Sequence, residues 1–60
     1  MNSVELINKL KLDGWYEASC KGSHHTFRHP IKNGHITVPH PKKDLGKGLT
    51  RAILKAAGLK

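Results

Sequence analysis

Apolar residues recur at helical spacing near the start of this chain. Val4, Ile7 and Leu10, with Leu6 beside them, form a stripe between polar neighbours. The spacing predicts a helix over Asn2 to Leu12. Asn2 is placed to cap it, and Glu5, three residues on, completes a capping box. Asp13-Gly14 ends it, since glycine tolerates the left-handed conformation at a helix C-terminus. The period then shortens to two. Trp15 to Cys20 and His24 to His29 read as strands joined by Lys21-Gly22-Ser23. Along the second strand His25, Phe27 and His29 share one face, and His24, Thr26 and Arg28 share the other. Phe27 belongs in the core, so His24 faces outward. Asn33-Gly34 signals a second hairpin, because both residues tolerate positive φ. It leads into His35 to Val38, with Ile36 and Val38 inward and His35 and Thr37 outward. Pro39 and Pro41 prevent continuation as a central strand. Leu49, Ala52, Ile53 and Ala56 then repeat at three and four, predicting a second helix over Lys47 to Ala57 that Gly58 ends.

The resulting order is helix, three-stranded antiparallel meander, helix, an α+β chain in the α-β-β-β-α order. One sheet face covered by two helices is the two-layer solution open to so short a chain. The expected core is Ile7, Leu10, Trp15, Phe27, Ile36, Val38, Leu49 and Ile53. Tyr16 alternates with Trp15, so one packs inward and the other faces solvent. Sixty residues form a single domain, 1–60, that buries only about 60% of its unfolded surface.

Charge narrows the partners. Lysine and arginine number 11 against four acidic residues, a net charge of +7 with neutral histidines. Such a surface favours nucleic acid first and an acidic protein second. No apolar run approaches the roughly 20 residues of a spanning helix, and no signal-peptide layout opens the chain; a cytoplasmic protein with no membrane partner is expected. Direct DNA binding by a helix-turn-helix is not expected, because strands separate the two helices. The single Cys20 forms no internal disulfide and reads as a small packing residue at a strand end.

Five histidines raise the question of a metal. Strand geometry argues against it: His24 and His25 point to opposite faces, while His25 and His29 lie about 13 Å apart along an extended chain. No metal and no cofactor are expected. His29 and His35 read as hydrogen-bonded or surface residues, and His25 as a half-buried structural imidazole. His24 stands apart. It faces outward and adjoins a glycine turn where backbone can approach phosphate closely. Histidine takes and gives protons near neutrality. RNA carries its own nucleophile, the 2'-hydroxyl, so a positioned imidazole on a phosphate-collecting surface points to RNA cleavage.

Several blocks, in order, carry a family resemblance: Ser3-x-x-Leu6-Ile7-x-x-Leu10, Asp13-Gly14-Trp15, Lys21-Gly22-Ser23-His24-His25-x-Phe27-x-His29-Pro30, Val38-Pro39-His40 and Leu45-x-x-Gly48-x-x-x-x-Ile53-Leu54-x-x-Ala57-Gly58-Leu59. Across almost its whole length the chain resembles HicA toxins, the mRNA-cleaving members of bacterial toxin–antitoxin pairs. The resemblance implies a fold similar to the double-stranded RNA-binding domain, a metal-independent endoribonuclease, a catalytic histidine at His24 and neutralisation by a HicB antitoxin. Lys21, Gly22, Ser23 and Arg28 are the local candidates for RNA binding or transition-state support. Lys42 and Lys43, just before the second helix, occupy the place where double-stranded RNA-binding domains contact phosphate. His40 is a secondary candidate as the acid for the leaving 5'-oxygen, against a plain role in a rigid turn. The alternative function is a non-catalytic RNA-binding module of the same fold, in which His24 is only a contact.

Overall fold

The computed structural model describes residues 1–59 and follows the expected order. Helix α1 spans Ser3–Leu12, strands β1, β2 and β3 span Tyr16–Lys21, His24–Arg28 and His35–Pro39, and helix α2 spans Lys47–Ala56. The strands form one antiparallel sheet in the order β1-β2-β3.

Local sequence explains each element. The Asn2 side chain accepts the Glu5 amide at 2.8 Å, and Glu5 Oε1 accepts the Asn2 amide at 3.4 Å, so the capping box forms. The predicted stripe is off by one position: Val4 is exposed, and Ser3 takes its place beside buried Leu6, Ile7 and Leu10. Gly14, at φ +106°, turns the chain into β1. An added Cβ there would lie 2.8 Å from His29 Nε2, so both backbone conformation and space demand glycine. Between β2 and β3 the connection is longer than the Asn33-Gly34 signal suggests. Residues 29–34 form it, and of that pair only Gly34 has positive φ. His29 holds this loop: its Nε2–H donates to the Asp13 carbonyl at 2.7 Å, and its Nδ1 accepts the amides of Ile31 and Lys32.

Phe27, Ile36 and Val38 project from one sheet face and are buried with Leu6, Leu10, Trp15, Leu45, Ile53 and Ala57. The expected Leu49 is exposed, because α2 turns Ile53 and Ala57 inward with Leu54 half-buried beside them. Leu45, ahead of the helix, fills the space instead. Cys20 is exposed too, at the hairpin end of β1, and does not pack inside. Trp15 is buried and Tyr16 is 51% exposed, which resolves their alternation.

A second tie closes the far end of the core. Lys32 Nζ is hydrogen-bonded to Asp13 Oδ2 and donates to the Ala57 carbonyl at 2.9 Å, while Trp15 Nε1 donates to the same carboxylate at 3.2 Å. The Lys32 hydrogen bond chiefly holds the Asp13 carboxyl below its ordinary pKa. A carboxyl with a lowered folded value adds stability above its unfolded pKa and loses it as pH falls through the folded one. Thermal unfolding of the native protein is therefore expected to show an acid-sensitive component below about pH 4 that shrinks in Lys32→Met. Superimposable acid profiles for the two proteins would show that the tie contributes nothing.

Candidate functional site

Strand register sorts the sheet into two chemically different faces. On the face away from the helices, three cross-strand rows follow from the pairing. They are Lys21–His24–Pro39, Ser19–Thr26–Thr37 and Tyr16–Arg28–His35. A bulge between Glu17 and Ser19 restores this phase along β1. His24 therefore points away from the core, and it is exposed. Its side chain makes no hydrogen bond or ion pair among the described residues. Beside it the turn passes through Gly22 at φ +61°, with nothing within 4 Å of where a Cβ would stand. Lys21, Gly22 and Ser23 are all exposed. One lysine, one unobstructed turn and one free imidazole thus share the same end of the hairpin.

The neighbouring imidazoles are fixed. His25 faces the helix side, where its Nδ1–H donates to Glu17 Oε1 at 2.7 Å and Cys20 Sγ lies 3.6 Å from Nε2. The His40 ring meets it edge-on, with centroids 5.0 Å apart. His40 is anchored in turn: its Nδ1 is hydrogen-bonded to Ser3 Oγ at 2.7 Å, and its amide donates to the Ser23 carbonyl at 2.8 Å. Ser3 also accepts the Lys42 amide at 2.9 Å through its hydroxyl and donates its own amide to the Lys42 carbonyl at 2.9 Å. A buried serine so links α1 to the β3–α2 loop, and the loop to the turn that precedes His24.

The structure brings Lys21, Gly22, Ser23 and His24 together. It does not bring the others to the same point. Arg28 shares the outer face but stands four residues along β2, about 13 Å from His24, in a separate cross-strand row. Lys42 and Lys43 lie in the β3–α2 loop against the N-terminus of α1, outside the row of His24. His40 sits on the helix side of the sheet, opposite His24, where the turn role fits it and that of acid to the same phosphate does not. Sequence reading missed Glu17 as the partner of His25 and Ser3 as the anchor of His40. The second had a signal, since Ser3 occupies an apolar position of the Leu6, Ile7, Leu10 pattern. It also missed that Lys47, Arg51 and Lys55, at four-residue spacing on α2, are all exposed and border an apolar groove containing Leu54 and Leu59. Among the described residues no helix is long and apolar enough to cross a membrane.

With this geometry in hand, comparison with known proteins is decisive. The family model described as HicA toxin of bacterial toxin-antitoxin matches residues 3–59. The chain belongs to the HicA toxin family. A solved structure described as a HicA3 and HicB3 toxin-antitoxin complex contains a chain 41% identical to this one, at a TM-score of 0.87, covering 100% of this chain and 97% of that one. No curated protein sequence matches. The α+β architecture expected of a HicA toxin is the one observed, down to the strand order.

Because Ser3 is 1% exposed, its removal strands two polar partners. Ser3→Ala is expected to cost about 1–3 kcal/mol of stability and to speed hydrogen exchange at the His40 amide. Chemical denaturation and exchange measured by NMR check this. A loss below about 0.5 kcal/mol with unchanged exchange would show that the loop is held by other means.

Proposed function

We propose that this HicA toxin is an endoribonuclease that cleaves mRNA through His24 and is neutralised by a HicB-type antitoxin. The observation that carries the reading is the free, outward His24 imidazole beside the open Gly22-Ser23 turn, next to Lys21. Neutral His24 withdraws the proton from an RNA 2'-hydroxyl, and the oxygen attacks the adjacent phosphorus. The P–O5' bond breaks, leaving a 2',3'-cyclic phosphate and a 5'-hydroxyl. Proton transfer of this sort contributes about 10² to 10⁴-fold. The Gly22 and Ser23 amides, the Ser23 hydroxyl and the Lys21 ammonium are the groups near enough to meet charge developing on the phosphoryl oxygens. With His40 engaged on the opposite face, the leaving 5'-oxygen takes its proton from water. One protein group moving one proton makes a slow enzyme, sufficient for a toxin acting on scarce message. The HicA3–HicB3 neighbour supports an antitoxin of HicB type. Such a partner inhibits by covering the basic turn.

His24→Ala is expected to abolish RNA cleavage and growth arrest while RNA affinity and thermal stability stay near native, because the side chain is exposed and outside the core. His25→Ala, which removes the Glu17 bond, is expected to lower stability and to retain part of the activity. Cleavage should persist in excess chelator and stop when a 2'-deoxy residue precedes the scissile phosphate. Undiminished toxicity of His24→Ala at matched expression would contradict the assignment, and cleavage of the 2'-deoxy substrate would contradict the chemistry.

A further inference from the structure

The sheet face carrying His24 extends well beyond it, and among the described residues no element covers it. Its three rows present Lys21, His24, Arg28 and His35 with the hydroxyls of Ser19, Thr26, Thr37 and Tyr16. All four acidic side chains of the protein lie elsewhere. Glu5 is in α1, Asp13 caps that helix, Asp44 is in the loop before α2, and Glu17 turns to the helix side to hold His25. The face is therefore cationic, with no acidic side chain to oppose an anion among the described residues.

Its far row is distinctive. Tyr16, Arg28 and His35 are cross-strand neighbours, all exposed, and none of their side chains is hydrogen-bonded or ion-paired among the described residues. Directly opposed residues stand about 5 Å apart, so a phenol, a guanidinium and an imidazole form one continuous row of flat groups. The middle row is small and hydroxylated, which lets a strand of nucleotides lie close to the sheet between the two ends. The far row stands about 13 Å from the row of His24. That span passes beyond the two nucleosides flanking the phosphate at His24.

We propose that the uncovered sheet face is a subsite for single-stranded RNA, in which Tyr16, with Arg28 and His35, stacks on a base beyond the scissile pair. This rests on the ribonuclease reading of His24. Single-stranded RNA is recognised by stacking its splayed bases on aromatic and guanidinium planes above a basic track. A base-paired helix keeps its bases inside and offers this row nothing to stack on. Protein interfaces concentrate apolar side chains at their centre and are depleted in lysine. Among the described residues of the three rows the only large apolar exposure is Tyr16, since Met1, Val4, Leu12 and Leu49 are exposed outside the sheet and Ile31 in the β2–β3 loop. Arg28, in a separate row from His24, gains a role here.

Two measurements test the subsite separately from the chemistry. In the first, His24→Ala protein with and without Tyr16→Ala is titrated with a hexanucleotide RNA made uncleavable by 2'-deoxy substitution at the scissile position. Tyr16→Ala is expected to weaken binding roughly tenfold or more, Tyr16→Phe to restore it, and a duplex of the same sequence to show no dependence on Tyr16. In the second, cleavage is compared on a hexanucleotide and on a dinucleotide. Tyr16→Ala is expected to raise KM for the longer substrate with little change in kcat and to leave the dinucleotide unaffected. Failure of the native protein to cleave either RNA would overturn the ribonuclease reading, while a tyrosine-dependent affinity in the first measurement would still uphold the subsite. Unchanged affinity on Tyr16→Ala, or equal losses on the two substrate lengths, overturns the subsite. Weakened binding of a HicB-type antitoxin with RNA affinity intact also overturns it, and makes the face a protein interface.

Discussion

The hydroxyl of Ser3 is the point on which the site depends. It is buried at the start of α1 and bonds both the His40 ring and the Lys42 amide, and the Ser3 amide bonds the Lys42 carbonyl. The His40 amide in turn bonds the Ser23 carbonyl. The chain's first helix, its last loop and its first hairpin turn are thereby joined through two residues. In so small a protein the hydrophobic core can fix the layers, but it cannot alone fix a turn at the sheet's edge. The Ser3 hydroxyl and these backbone hydrogen bonds do that here. They hold the Gly22-Ser23 turn in place while its outer side stays open to solvent.

Strand parity then divides labour between adjacent histidines. His24 and His25 are covalent neighbours with opposite fates: one points to solvent, the other packs among Glu17, Cys20 and His40. Fixing His25 fixes the rotation of β2, and so the direction of His24. The same alternation gathers the exposed basic side chains of β1 and β2 on one face and leaves Glu17 on the other. The proposed RNA cleavage needs a surface that attracts phosphate and an imidazole that meets it. Both are consequences of one two-residue period laid on one sheet.

Most of the fold was legible in the sequence because local signals agreed. The capping box at Asn2 and Glu5, the inward Phe27, Ile36 and Val38, and the outward His24 all stand where periodicity puts them. The errors came where tertiary contact overrides pattern. Val4 and Leu49 look like core residues, yet each helix is rotated so that Ser3 and Ala57 are buried instead. Ala52 and Ala56, read into the stripe, are exposed, and a serine buried for its hydrogen bonds looks polar on paper. In the site, the direction of His24 was readable, but the grouping was not. Arg28 is near His24 in sequence and distant along the strand. The partnerships of His25 with Glu17 and of His40 with Ser3 span 8 and 37 residues, separations that no motif spells out.

His25, His29 and His40 are held by the protein, while His24 is left free, as the proposed cleavage requires. Long-range nitrogen–proton correlation spectra of the histidine rings test it most directly, because a fixed hydrogen bond selects one tautomer. A single tautomer is expected for His29, protonated at Nε2, and a single tautomer for His25, protonated at Nδ1. His40 is expected in one fixed form and His24 averaging between both. A locked His24 beside a freely averaging His25 would contradict it and move the candidate site to the other face of the sheet.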